Sequence, residues 1–94
     1  MSQKANLRAV VYGLVQGVNF RSFVLHRAVE LGLTGYVRNV LLDGTVEVVA
    51  EGEREKLEQL LRYLEAGPRA ARVKRVNVDW SEYGGEFSRF DVRF

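Results

Sequence analysis

The hydrophobic period of this chain changes from two residues to about 3.6 across one short glycine-bounded stretch, Gly13-Leu14-Val15-Gln16-Gly17-Val18-Asn19-Phe20-Arg21. Before it, Leu7, Ala9 and Val11 alternate with Arg8, Val10 and Tyr12. Both faces carry apolar groups, as a central strand covered on at least one side requires. After it, Phe20, Phe23, Val24, Ala28 and Leu31 recur at helical spacing, which predicts a helix over residues 21–31 that ends near Gly32. The stretch between them is therefore a tight strand-to-helix loop. Its glycines let backbone N–H groups converge, and Arg21 follows in the first helical turn, where a guanidinium grips two phosphate oxygens beside the positive end of the helix dipole.

The remaining elements follow from the same kind of patterning. Residues 35–42 have strand composition and run into Asp43-Gly44, a strong hairpin signal, so a second and a third strand pair antiparallel. On the third, Val46, Val48 and Ala50 face one side, and Glu47, Val49 and Glu51 face the other and are expected to be wetter. Over residues 53–66, Leu57, Leu60, Leu61 and Leu64 fall at i, i+3, i+4 and i+7, and Gly67-Pro68 supplies the stop of a second helix. Val76, Val78 and Trp80 form one face of a fourth strand, while Val73 is out of phase with them, so a bulge is expected near Lys74-Arg75. Tyr83-Gly84-Gly85-Glu86 reads as a mobile turn, and Phe90, Val92 and Phe94 alternate with charged residues in a short last strand. Two helices separated by a hairpin, with right-handed crossovers, give an α+β fold: a ferredoxin-like βαββαβ sandwich, an antiparallel sheet with both helices on one face, plus the short C-terminal strand.

Composition narrows the chemistry. Ninety-four residues, 47% hydrophobic and 28% charged, suit one globular domain spanning residues 1–94. A formal charge of +2 is a mild basic excess, better matched to a small anion than to a polyanion. No cysteine and a single histidine remove thiol nucleophiles, thiolate metal sites and histidine-rich centres. No apolar run is long enough to span a membrane, and the segment Met1-Ser2-Gln3-Lys4-Ala5-Asn6 lacks the hydrophobic stretch of a signal peptide, so a cytoplasmic location is expected.

From spacing alone the loop has two readings, an ordinary glycine turn with Arg21 in a surface salt bridge, or an anion cradle. The residues themselves are more specific. Gly13-Leu14-Val15-Gln16-Gly17-Val18-Asn19-Phe20-Arg21 closely resembles the first signature of the acylphosphatase family, a glycine, any residue, Val-Gln-Gly-Val, any residue, an aromatic and Arg. Gly35-Tyr36-Val37-Arg38-Asn39, followed by Asp43-Gly44-Thr45-Val46-Glu47 and Gly52, resembles the second, and chain length and element order match over essentially the whole sequence.

The resemblance implies hydrolysis of small-molecule acyl phosphates to a carboxylate and inorganic phosphate without a metal or organic cofactor. It implies that Arg21 binds the phosphate together with the loop amides of Val15, Gln16, Gly17, Val18, Asn19 and Phe20, with Gln16 and Gly17 shaping the loop, and that Asn39 positions the attacking water. Such a reaction asks little of a protein. The leaving carboxylate has a conjugate acid of pKa about 4 and departs without a general acid. In a loose transition state the water needs orientation more than deprotonation, so a neutral amide suffices and catalysis becomes positioning and charge stabilisation. A chain this poor in nucleophiles suits that substrate better than a covalent mechanism.

One departure from the family pattern stands out. Between Asn39 and Gly44 lie Val40, Leu41, Leu42 and Asp43, one residue more than the signature has, and a bulge after Asn39 is the expected accommodation. Other residues are weighed as structural. His26 points away from the loop, Trp80 is expected in the core, and the basic cluster Arg69, Arg72, Lys74 and Arg75 reads as a solvated rim, so nucleic acid is not an expected partner. A shallow phosphate grip implies weak selection of the acyl group. The expected protein is a monomeric enzyme; the alternatives are a catalytically silent phosphate-binding or maturation module, since similar domains are built into larger carbamoyl-transfer proteins, and an RNA-binding sheet that uses Tyr12 and Trp80.

Overall fold

A computed structural model describes residues 3–94; Met1 and Ser2, which open the stretch read as free of a signal peptide, lie outside the described residues. The elements run β1 (Lys4–Leu14), α1 (Phe20–Glu30), β2 (Thr34–Val40), β3 (Thr45–Glu53), α2 (Arg54–Ala66), β4 (Arg72–Glu82) and β5 (Phe90–Arg93). The strands make a single sheet in the order β4-β1-β3-β2-β5. Pairings among the first four are antiparallel, and β5 adds parallel to β2, so the ferredoxin-like sheet is mixed at one edge. Connectivity explains the parallel edge. Residues 83–89 leave β4 at one edge, cross to the other edge along the same end of the sheet, and can re-enter only in the direction that β2 takes.

Both helices cover one face. Leu7, Ala9 and Val11 of β1, Val37 of β2, and Val46, Val48 and Ala50 of β3 are fully or almost fully buried against Phe20, Val24 and Ala28 of α1 and Leu57, Leu60 and Leu64 of α2. Each fully buried aliphatic or aromatic side chain contributes about 1.5–3 kcal/mol before entropy is subtracted, which fixes how the helices sit. Helix α1 lies over β2 and β5, and α2 over β1, β3 and β4.

The irregularity expected near Lys74 is present. Tyr12 pairs with Arg75 and Gly13 with Val73, which leaves Lys74 as the extra residue of a bulge. Gly13 is what allows the strands to approach there: its φ is +132°, and a Cβ would lie 2.0 Å from the carbonyl oxygen of Arg72.

The bulge expected after Asn39 is absent. Pairing of β2 with β3 runs without a shift from Thr34 opposite Glu51 to Val40 opposite Thr45. The extra residue is taken up by the turn at residues 41–44, where the N–H groups of Asp43 and Gly44 both donate to the Val40 carbonyl, at 3.2 and 3.0 Å. A turn lengthens without breaking ladder bonds, whereas a bulge would unpair a residue and turn side chains to the wrong face. Leu41 and Leu42 therefore leave the strand predicted for them.

Three further expectations change. Glu47 and Glu51 do face away from the helices, yet they are only 5% and 2% exposed. Glu47 accepts from Arg8 Nε at 2.9 Å, Arg38 Nε at 2.5 Å and the Tyr36 hydroxyl at 3.4 Å. Glu51 accepts from Asn6 Nδ2 at 3.0 Å and from the N–H groups of Gly84 and Glu86 at 2.8 and 3.2 Å, so the turn read as mobile is tied to the sheet. Trp80 is part-buried and not central in the core, because β4 is an edge strand; the Arg54 guanidinium lies 3.8 Å from the centroid of its ring.

Candidate active site

The loop between β1 and α1 is pinned at both ends and open in the middle. Val15 and Phe20 are 1% and 2% exposed and anchor it in the core. Between them Gly17 (φ 72°) and Asn19 (φ 67°) both adopt the left-handed conformation, which curls the chain around Val18. Asn19 is the one non-glycine residue with positive φ among the described residues, a conformation that asparagine tolerates better than most residues. As the N-cap of α1 its side chain makes no capping bond. Among the described residues the N–H groups of Gly17, Val18 and Asn19 donate no backbone hydrogen bond, and the first-turn N–H groups of α1 have no intrahelical acceptor. A cluster of open donors at a helix N-terminus has the polarity that suits an anion.

Gln16 ties this loop to the neighbouring hairpin. Its Nε2 donates to the carbonyl oxygens of Val40 at 3.1 Å and Thr45 at 2.9 Å, the last and first residues of β2 and β3. The loop is thus fixed relative to Asn39, which precedes Val40.

Asn39 sits opposite Val46 and so projects on the helix-covered side of the sheet, at the end where the loop lies. Arg21, the second residue of α1, is half-buried and takes part in no ion pair among the described residues; its guanidinium stacks 4.8 Å from the ring centroid of Phe94. Val15, Gly17, Asn19, Phe20, Arg21 and Asn39 line one cleft of about 410 Å³. Of the residues singled out from sequence, Gln16 and Val18 do not line it: Gln16 braces the loop against the hairpin, and Val18 packs against the core. His26 is exposed and its Nδ1 lies 2.8 Å from the Ser22 carbonyl, away from this cleft.

Val92 and Phe94 also line the cleft, and sequence reasoning missed them. Their alternation identified a strand, but only the sheet order, with β5 beside β2, carries that strand to Asn39 and Arg21.

Charge is partitioned between the two faces of the sheet. Arg38, next to Asn39, points to the opposite face and is committed to Glu47. Burial by itself would raise the Glu47 carboxyl, but hydrogen bonds from Arg38 and Arg8 outweigh it and hold the group below its ordinary value. Arg21 is left as the cation of the cleft. Among the described residues no group of three or more His, Cys, Asp or Glu is gathered as a metal ion would require.

A cradle of this kind, carrying both signatures in register, matches a known pattern along the chain: the acylphosphatase family model covers residues 7–92. The chain belongs to the acylphosphatase family. It is 50% identical over 91 residues to an acylphosphatase of Pelotomaculum thermopropionicum, spanning 97% of this chain and 98% of that one. An acylphosphatase of Thermus thermophilus is 56% identical over 79 residues, 84% of this chain and 89% of the relative. Among solved structures, an acylphosphatase from Coxiella burnetii superposes with a TM-score of 0.90 at 41% identity, covering 97% of this chain and 94% of that one. Acylphosphatases are hydrolases that act on small-molecule acyl phosphates. Among the described residues, no helix is long and apolar enough to cross a membrane.

Proposed function

We propose that the protein hydrolyses the carboxyl–phosphate bond of acyl phosphates, releasing a carboxylate and inorganic phosphate, with Arg21 and the loop from Val15 to Phe20 as the phosphate site and Asn39 as the residue that orients water. The observation that carries this reading is that Arg21 and Asn39, distant in sequence, line the same cleft beside a loop rich in open N–H donors. The phosphoryl group takes its charge stabilisation from the Arg21 guanidinium and the loop amides, which are already oriented and need little reorganisation. The Asn39 side-chain oxygen accepts a hydrogen bond from water and aims its lone pair at phosphorus. Bond cleavage sends the electron pair to the carboxylate oxygen, a leaving group of conjugate-acid pKa about 4 that requires no proton donor. The attacking water loses its proton to solvent or to the phosphate itself.

Within the same proposal the residues form one folding unit, the enzyme acts as a monomer, and the location is cytoplasmic. One unfolding transition, a monomeric sedimentation mass and recovery in the cytosolic fraction are the corresponding checks.

The decisive experiment follows hydrolysis of benzoyl phosphate without added metal for wild type, Arg21→Ala and Asn39→Ala. Each substitution removes an interaction made in the transition state, so kcat/KM falls at least about a hundredfold. Activity that persists in both variants would overturn the residue assignment, and an inactive wild type would overturn the enzyme.

A further inference from the structure

The cleft at Arg21 and Asn39 does not end there. A second groove of about 530 Å³ continues from it, sharing Arg21, Asn39 and Phe94 and extending over Arg38, Val40, Leu41 and Leu42. This is the turn that carries the additional residue. Leu41 and Leu42 are 81% and 99% exposed, so neither contributes to the core, and both stand among the residues that line the groove.

We propose that this groove is an acyl subsite and that Leu41 and Leu42 make the enzyme favour substrates with an apolar or aromatic acyl group; the proposal rests on the acyl-phosphate reading above. Charge sets the direction in which a substrate lies. Arg38 is paired with Glu47, its Nε 2.5 Å from the carboxylate, so its positive end is already neutralised. Arg21 has no ion-pair partner among the described residues and stands on the wall common to both grooves. The phosphate therefore goes to the Arg21 end, and the carbon chain on the far side of the scissile bond runs along Val40, Leu41 and Leu42. There a larger apolar group removes more exposed leucine surface from water than an acetyl group does. The weak acyl selection expected from sequence gives way to a preference for bulk.

Two measurements test this independently. The first compares kcat/KM for benzoyl and acetyl phosphate in wild type and in the double variant Leu41→Ser, Leu42→Ser; the intrinsic reactivities of the substrates cancel between proteins. The benzoyl-to-acetyl ratio falls about tenfold in the variant, the size expected for lost apolar contact in a shallow site. Since both positions are exposed, thermal melts show the variant folded. The second measures binding of phenylphosphonate and methylphosphonate by calorimetry, which needs no turnover. Wild type binds the phenyl compound more tightly by about tenfold, and the variant loses that preference. An unchanged ratio, or equal binding of the two phosphonates by wild type, overturns the subsite. A phenyl preference without hydrolysis of either substrate supports the subsite and overturns the hydrolase reading alone.

Discussion

The side-chain amide of Gln16 donates to the carbonyl oxygen of Thr45 at 2.9 Å and, with its other hydrogen, to Val40 at 3.1 Å. One residue thereby joins the loop between β1 and α1 to both strands of the hairpin that carries Asn39. Replacing it with Ala removes both bonds, although the Val40 carbonyl keeps the N–H groups of Asp43 and Gly44 as donors, and we expect a stability loss of about 1–2 kcal/mol by urea unfolding together with weaker phosphate binding. Gln16→Glu fares no better, because a carboxylate meets carbonyl oxygens instead of donating to them. Unaltered phosphate affinity in the Ala variant would show that the loop holds its shape without this brace.

Arg21 and Asn39 are assigned different tasks, so their variants separate in product inhibition. Arg21→Ala loses most inhibition by inorganic phosphate, because the charge that grips the product is gone. Arg21→Lys recovers only part of it, since a point charge replaces a bidentate fork. Asn39→Ala lowers kcat and keeps the phosphate inhibition constant within about threefold. Equal loss of phosphate binding in Arg21→Ala and Asn39→Ala would contradict the division of labour.

Glu47 and Glu51 make the fold sensitive to acid. Burial pushes both carboxyls up, but in Glu47 the hydrogen bonds from Arg38 and Arg8 prevail, and in Glu51 those from Asn6 and the N–H groups of Gly84 and Glu86, so both lie below the ordinary 4.5. A carboxyl whose pKa is lower in the folded than in the unfolded state binds more protons when unfolded. Its stabilisation is complete above the unfolded pKa and is lost as pH falls through the folded one. Urea midpoints therefore drop below about pH 4.5. Glu51→Gln is less stable than wild type by about 1–2 kcal/mol at neutral pH, and the two curves converge in acid. Curves that diverge as pH falls would reverse the sign argued here.

Gly13 is required by the close approach at the bulge. In Gly13→Ala the new methyl would meet the Arg72 carbonyl at 2.0 Å in a backbone conformation that L residues avoid. Strands β1 and β4 must separate locally, and we expect a loss of more than about 3 kcal/mol in chemical unfolding. Gly44→Ala is the control: a Cβ there meets nothing within 4 Å, so only the left-handed strain, about 1–2 kcal/mol, remains.

Much of the fold is local and was therefore legible. The period change across residues 13–21, the leucine spacing of α2 and the out-of-phase Val73 each depend on near neighbours in the chain, and both helices, the bulge at Lys74 and, apart from Leu41 and Leu42, the strands appear where the pattern put them. Arg21 and Asn39 were singled out for another reason, a resemblance to two short signatures, and the fold brings them to one cleft. Glu47 shows the limit. Alternation correctly assigned it to the outer face, but alternation cannot say that Arg8 and Arg38 cover that face and turn an outward position into a buried one.

The sequence alone determined the elements, the family signatures and the residue types available for chemistry, because these follow from backbone sterics, side-chain period and composition. Only the tertiary structure decided that β5 and the residue after it bring Val92 and Phe94 to the cleft, that the turn and not the strand absorbs the residue after Asn39, and that Leu41 and Leu42 line a groove adjoining Arg21 and Asn39. Each of those depends on which strands become neighbours and how the ladder bonds are shared between them, quantities set by long-range pairing that no local window of residues contains.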